Sequence, residues 1–121
     1  MSDDESPRSL IWLGDSKAAF MGFPRTVQRE MGYALFLAQL GARHLTMAKT
    51  LKGFTGGSVV EVRENDEQGA FRAVYTLHYL DSVYVLHAFQ KKSKAGAKTP
   101  KSDIDLIRQR LKALMRERER Q

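Results

Sequence analysis

The feature that most constrains this chain is the run Val83-Tyr84-Val85-Leu86-His87-Ala88-Phe89-Gln90-Lys91-Lys92. It begins apolar and aromatic, as a core strand does, and ends in paired lysines. Such a strand delivers fixed positive charge to the rim of whatever sheet it joins. Two more strand-like runs precede it. Ser58-Val59-Val60-Glu61-Val62-Arg63-Glu64 alternates, with Glu61 and Arg63 on one face. Phe71-Arg72-Ala73-Val74-Tyr75-Thr76-Leu77 follows the polar loop Asn65–Gly69, and Leu80-Asp81-Ser82 turns into the lysine-ended strand. Three strands joined by short loops predict an antiparallel meander.

Charge divides the chain at the same place. Residues 1–90 hold nine Lys/Arg and ten Asp/Glu, a net of −1; residues 91–121 hold eleven and four, a net of +7. A basic C-terminal third suggests an anionic partner, namely nucleic acid, an acidic protein or a membrane surface; a solvated helix with a basic tail is the plainer reading. Ser93 to Lys101 adds three lysines with Gly96 and Pro100, which reads as a mobile basic loop. There is no cysteine, so a disulfide scaffold and thiolate metal sites are excluded and a cytoplasmic location fits. No apolar run approaches a membrane span, and the polar, acidic first eight residues do not read as a signal peptide.

The N-terminal half supplies helices. Leu10-Ile11-Trp12-Leu13, ended by Gly14, reads as a first strand, with Asp15 or Ser16 as a helix N-cap. A short helix from Lys17 to Phe23 kinks at Phe23-Pro24 and gives way to a longer one reaching about Leu40. Val27, Met31, Ala34, Leu35 and Ala38 form the apolar face of that helix, and Gly41 is its C-cap. Gly32 is expected to allow close packing, and Met21, Met31 and Met47 to fill core. Ala42 to Gly57 reads as a connector with a turn at Gly56-Gly57. Thr99-Pro100 resembles a helix start, with Thr99 as N-cap, and Ile104, Ile107, Leu111 and Leu114 form the stripe of a last helix. The expected organisation is a disordered tail over 1–9, one domain over 10–115 and a charged, fraying tail over 116–121. The fold class is α+β: a small antiparallel or mixed sheet in the order β-α-α-β-β-β-α, with the helical hairpin on one face and a C-terminal helix.

That order and several stretches resemble the RelE/ParE superfamily of bacterial toxins, in particular its phage-derived, HigB-like branch. The stretches are Phe23-Pro24 before a helix ending Ala-Gln-Leu-Gly, Leu51-Lys52-Gly53, Val60–Arg63, Phe71–Tyr75, Val83–Lys92 and Thr99-Pro100. The resemblance runs from about Ile11 to Leu114. It implies an mRNA endonuclease that acts on message held in the ribosome and needs no cofactor or metal. It also implies a cognate antitoxin, often a helix-turn-helix, HigA-like protein encoded beside it, and no membrane partner.

Metal-free RNA cleavage needs cations where charge grows on the phosphate, plus a base and an acid. Arg72 is the strongest single candidate: its planar fork suits phosphate, and it matches the arginine that the family uses at the scissile phosphate. An outward arginine paired with Glu61 or Glu64 is the alternative. Arg63 shares the candidate catalytic set, or forms a cross-strand salt bridge. Lys91 and Lys92 point to opposite sides of their strand, so one of them reaches the cleft; the family position there is basic and catalytic. Lys52, Lys94 and Lys98 are candidate RNA-backbone contacts, Lys52 otherwise being a solvated loop lysine. Tyr84 or Tyr75 is a candidate base-stacking residue, with core packing the plainer reading of both. His87 is a possible acid/base group. Simple alternation, however, places it with Val83, Val85 and Phe89, where it would be a buried core histidine. The family's aspartate or histidine near the C-terminus has no obvious counterpart.

Three functions follow. A ribosome-dependent endoribonuclease toxin would cut mRNA within codons. A ParE-like poison of DNA gyrase would use the same fold on a protein target, without needing a phosphate cradle. A non-enzymatic regulator would bind nucleic acid or antitoxin and never cleave.

Overall fold

The computed structural model describes residues 6–54, 58–91 and 98–121. The turn expected at Gly56-Gly57, Lys92 at the strand end, and most of the basic loop, Lys94 included, lie outside the described residues. A five-stranded mixed sheet in the order β1-β5-β4-β3-β2 forms the middle layer. Its strands are β1 (Ser9–Trp12), β2 (Ala48–Thr50), β3 (Val59–Asp66), β4 (Gly69–Thr76) and β5 (Ser82–Lys91). Strands β3, β4 and β5 form the expected antiparallel meander, and β1 lies parallel to β5. The connector before Gly53 holds one element the sequence did not announce. Ala48–Thr50 pairs antiparallel with Val60–Val62 as the edge strand β2; three residues are too few to show a period.

Two helices, α1 (Ser16–Met21) and α2 (Arg25–Gln39), cover one face of the sheet. All five residues of the predicted apolar face of α2 are buried, and they pack with Phe20, Phe23, Val60, Val62, Phe71, Ala73, Tyr75, Val83 and Val85. The α2 C-terminus closes with Gly41 at φ +83°, Gly41 N–H donating to Ala38 O and Ala42 N–H to Leu37 O. Only glycine takes that backbone conformation without strain. Met31 and Met47 serve the core, whereas Met21 is 58% exposed at the end of α1. Gly32 lies under nothing: beyond its own helix backbone and chain neighbours, a Cβ there would meet no atom within 4 Å, so close packing does not explain it.

The third helix, α3 (Lys101–Glu119), lies on the opposite face. Ile107 and Leu114 are buried against Val59, Val74, Tyr84 and Leu86, with Ile104 and Leu111 beside them. The helix runs through residues 116–119, and Arg118 packs its guanidinium 4.2 Å from the Tyr79 ring. Neither predicted cap uses its side chain. Asp15 pairs with Arg110 instead, and Thr99 donates its hydroxyl to Glu61. No helix among the described residues is long and apolar enough to cross a membrane.

Candidate functional site

A β-bulge decides which side chains meet on the α3 face. Val74 pairs with His87 but Tyr75 pairs with Val85, leaving Leu86 as the extra residue. Val83, Val85 and Ala88 face the α1–α2 side, whereas Tyr84, Leu86 and Phe89 face α3. The alternation expected for His87 therefore fails at Leu86. His87 sits on the α3 side with Phe89, the two rings stacked at 4.9 Å, and away from Val83 and Val85. Arg110 from α3 holds the bulge in place: its Nη1 donates to Leu86 O at 2.8 Å and its Nη2 pairs with Asp15 at 2.9 Å. That guanidinium lies 2.6 Å from where a Cβ on Gly14 would sit, and Gly14 is at φ +54°. A side chain at position 14 would displace the clamp.

Toward the other end of the same face the strands gather cations. Arg63 and Arg72 are directly opposite each other in the β3–β4 register. On β5, Phe89 is opposite Arg72 and Lys91 opposite Ala70. Period-two alternation from Val59, Val74 and Phe89 puts Glu61, Arg63, Arg72 and Lys91 on this face. Arg72 is only 6% exposed. Its Nη1 donates to Phe71 O at 3.0 Å and reaches Asn65 Oδ1 at 3.5 Å; it pairs with neither Glu61 nor Glu64. Burial, with Arg63 adding to it, lowers the Arg72 pKa, while Glu61 opposes the shift. Lys91 is buried too, and engaged.

Beneath these cations lies Glu61, 1% exposed. One carboxylate oxygen accepts from Arg63 Nε at 2.7 Å and the other from the Thr99 hydroxyl at 2.7 Å. Glu61 thus binds the start of α3 to β3 and fixes Arg63 through its Nε. Above it opens a cavity of about 480 Å³ lined by Lys49, Leu51, Lys52, Arg63, Lys98 and Thr99, among others. Lys49 comes from β2, directly opposite Glu61. The structure therefore collects Lys52, Lys98 and Arg63 around one cavity, with Arg72 and Lys91 on the same sheet face.

It does not bring Tyr84 there. Tyr84 lies near the start of β5, where its hydroxyl accepts from Arg118 and its ring meets Tyr79 edge-on at 5.7 Å. Seven residues of strand, roughly 23 Å, separate it from Lys91. Tyr75 is buried among the α1–α2 contacts, and burial pushes its phenol up to about 12. His87 has a partner the sequence did not suggest: its Nε2 lies 2.7 Å from Asp103 Oδ1, in the first turn of α3. Its Nδ1 is buried without a hydrogen bond. Glu61, Thr99, Lys49 and Asp103 were the residues sequence reasoning passed over. Only Glu61 left a readable signal, by alternating with Arg63.

A family model described as phage-derived protein Gp49-like matches residues 18–112. No curated protein matches. Among solved structures, the isolated E. coli RelE toxin is similar at 14% identity and a TM-score of 0.49, over 84% of this chain and 97% of that one. The RelBE2 toxin–antitoxin complex of Mycobacterium tuberculosis gives 14% and 0.48, over 76% of this chain and all of the other. A mutant of E. coli RelE in the free state gives 14% and 0.48, over 70% and 84%.

Proposed function

The chain belongs to the phage-derived Gp49-like protein family, and from that premise we propose that it is the toxin of a type II toxin–antitoxin pair, acting as a ribosome-dependent, metal-independent mRNA endonuclease. One observation carries the reading: Arg63 and Arg72 stand directly opposite each other on adjacent strands, with Arg72 buried. Like charges in that position destabilise a sheet. Among the described residues one buried carboxylate, Glu61, sits with them, and it is already engaged by Arg63 and Thr99. Arg63 lines the cavity and is paired with Glu61, whereas Arg72 beside it has no ion pair among the described residues. Two guanidiniums sharing one carboxylate are suited to an arriving phosphate.

In this mechanism the ribose 2′-oxygen bonds to phosphorus as the P–O5′ bond breaks, leaving a 2′,3′-cyclic phosphate and a 5′-hydroxyl. Charge growing on the non-bridging oxygens meets the Arg72 and Arg63 guanidiniums. Lys91 supplies a further cation and protonates the departing O5′, and the 2′-hydroxyl proton passes to solvent. His87, committed to Asp103, is a strut between β5 and α3. Lys52 and Lys98, with Lys49, hold the backbone of the flanking message. The partner that silences the protein is an antitoxin covering this basic cleft, for which acidic segments are electrostatically suited.

The test is cleavage of mRNA in a purified translation reaction, with transcript ends mapped by primer extension. Wild-type protein should cut within codons, and a folded Arg72→Ala variant should cut about 10²- to 10³-fold more slowly. Full cleavage by that variant would refute the site. Intact mRNA with inhibited gyrase would refute the reaction.

A further inference from the structure

A second cavity continues the basic one along α3. It encloses about 490 Å³ and is lined by Gly53, Phe54, Ser58, His78, Arg108, Leu111, Lys112 and Met115. The two cavities adjoin along one seam. Residues 49–52 line the first and Gly53 and Phe54 the second, while Ile104 and Arg108 are one helical turn apart on the facing helix. Among the described residues no carboxylate lines either cavity, although the chain holds fourteen Asp and Glu. Lys49, Lys52, Arg63 and Lys98 line the first, and Arg108 and Lys112 the second. The floor is apolar, with Leu51 and Ile104 in one and Phe54, Leu111 and Met115 in the other. Arg108 lies 4.6 Å over the Phe54 ring and donates to Gly53 O. Lys112 is exposed and has no partner among the described residues.

We propose that this seam between the 49–54 segment and α3 is a single-stranded RNA channel that carries nucleotides flanking the cleavage site. The inference rests on the endonuclease reading and extends it to substrate length. A groove with cationic rims and an apolar, aromatic floor is what a single strand needs, phosphates outward and bases inward. From Ile104 to Met115 α3 runs about 16 Å, enough for about four or five stacked nucleotides at ~3.4 Å each. Arg108 and Lys112 then contact phosphates that the residues near Arg72 do not touch, and Phe54 offers a ring for a base. An acidic peptide could use the same charges, but continuity with the basic cleft favours the strand that the cleft already holds.

The experiment measures binding of fluorescent 2′-O-methyl RNA, which resists cleavage at the 2′ position, as a function of salt. One oligonucleotide has about eight nucleotides, within the usual single-strand site size, and one has about three. For a single strand the salt slope is about −0.7 per phosphate contacted. With the long RNA, Arg108→Gln/Lys112→Gln should make the slope shallower by about 1.4, and Lys112→Gln alone by about 0.7. With the short RNA both should match wild type. The single variant guards against a loosened 49–54 segment, because Lys112 supports no contact there. Equal slopes for all proteins on the long RNA would overturn the channel and leave the endonuclease reading standing. Unchanged RNA binding with a weakened antitoxin complex would assign the groove to a protein segment and overturn it as well. Failure of wild-type protein to bind either RNA would overturn the channel, whereas the ribosome-dependent endonuclease reading stands or falls on cleavage in the translation reaction.

Discussion

Two arginines on the same side of the sheet live in opposite circumstances. Arg118, near the end of α3, is fully provided for: it lies over Tyr79, donates to the Tyr84 hydroxyl at 2.9 Å and pairs with Asp81 at 3.1 Å. Those hydrogen bonds, Tyr84 first and Asp81 next, raise its pKa. Arg72 is buried, faces Arg63 across the ladder and, among the described residues, hydrogen-bonds only a carbonyl and a distant amide. Burial lowers its pKa. One end of the face uses its arginine to fasten a helix; the other keeps an arginine in surroundings that favour its charge poorly. Proteins tolerate such local conflicts where a ligand resolves them.

The contrast can be broken most forcefully at Glu61, the one buried carboxylate among the described residues at the Arg72 end. Glu61→Ala leaves Arg63 and Thr99 without their partner and Arg72 without its nearest negative charge. It should cost about 3 kcal/mol in urea denaturation. A cost near zero would mean that the cations need no internal counter-charge. At the other end, Arg118→Ala should lower the thermal midpoint by less and leave RNA cleavage unchanged, because it touches only the α3 clamp. A cleavage defect in that variant would erase the division of labour between the ends.

Most of the scaffold was legible because it follows periodicity. The α2 stripe, the α3 stripe and the meander all obey a fixed repeat, and Phe23-Pro24 marks the helix break. The bulge at Leu86 was not legible. It is a backbone event held by Arg110 from 24 residues away, and it moves His87 to the other face without any change in local composition. The same limit hid the His87–Asp103 bond, since Asp103 reads locally as a helix-dipole residue. Thr99 was mistaken for a cap because its real partner, Glu61, is 38 residues distant. Within the site, the cations could be named from the sequence, but the carboxylate that organises them could not be ranked above an ordinary strand glutamate.

The smallest effect concerns the bulge clamp and its dependence on pH. The Arg110 hydrogen bond and charge hold the Asp15 carboxyl below its ordinary value of 3.8. A pKa depressed by folding stabilises the protein above the unfolded value, and the contribution is lost as pH falls through the folded one. Asp15→Asn should therefore be slightly less stable than wild type near neutrality. The difference should close in acid, below about pH 3.8. A difference that stayed constant with pH would mean that the ion pair contributes nothing.

The claim that Arg72 is retained for an anion rather than for the fold is tested most directly by denaturing Arg72→Met with and without a single-stranded RNA oligonucleotide. The long apolar side chain keeps the packing while removing the charge opposite Arg63. The variant alone should be at least as stable as wild type, and RNA should raise the denaturation midpoint of wild type but not of the variant. A variant destabilised by about 3 kcal/mol, with RNA stabilising both proteins equally, would make Arg72 a structural residue rather than an anion site.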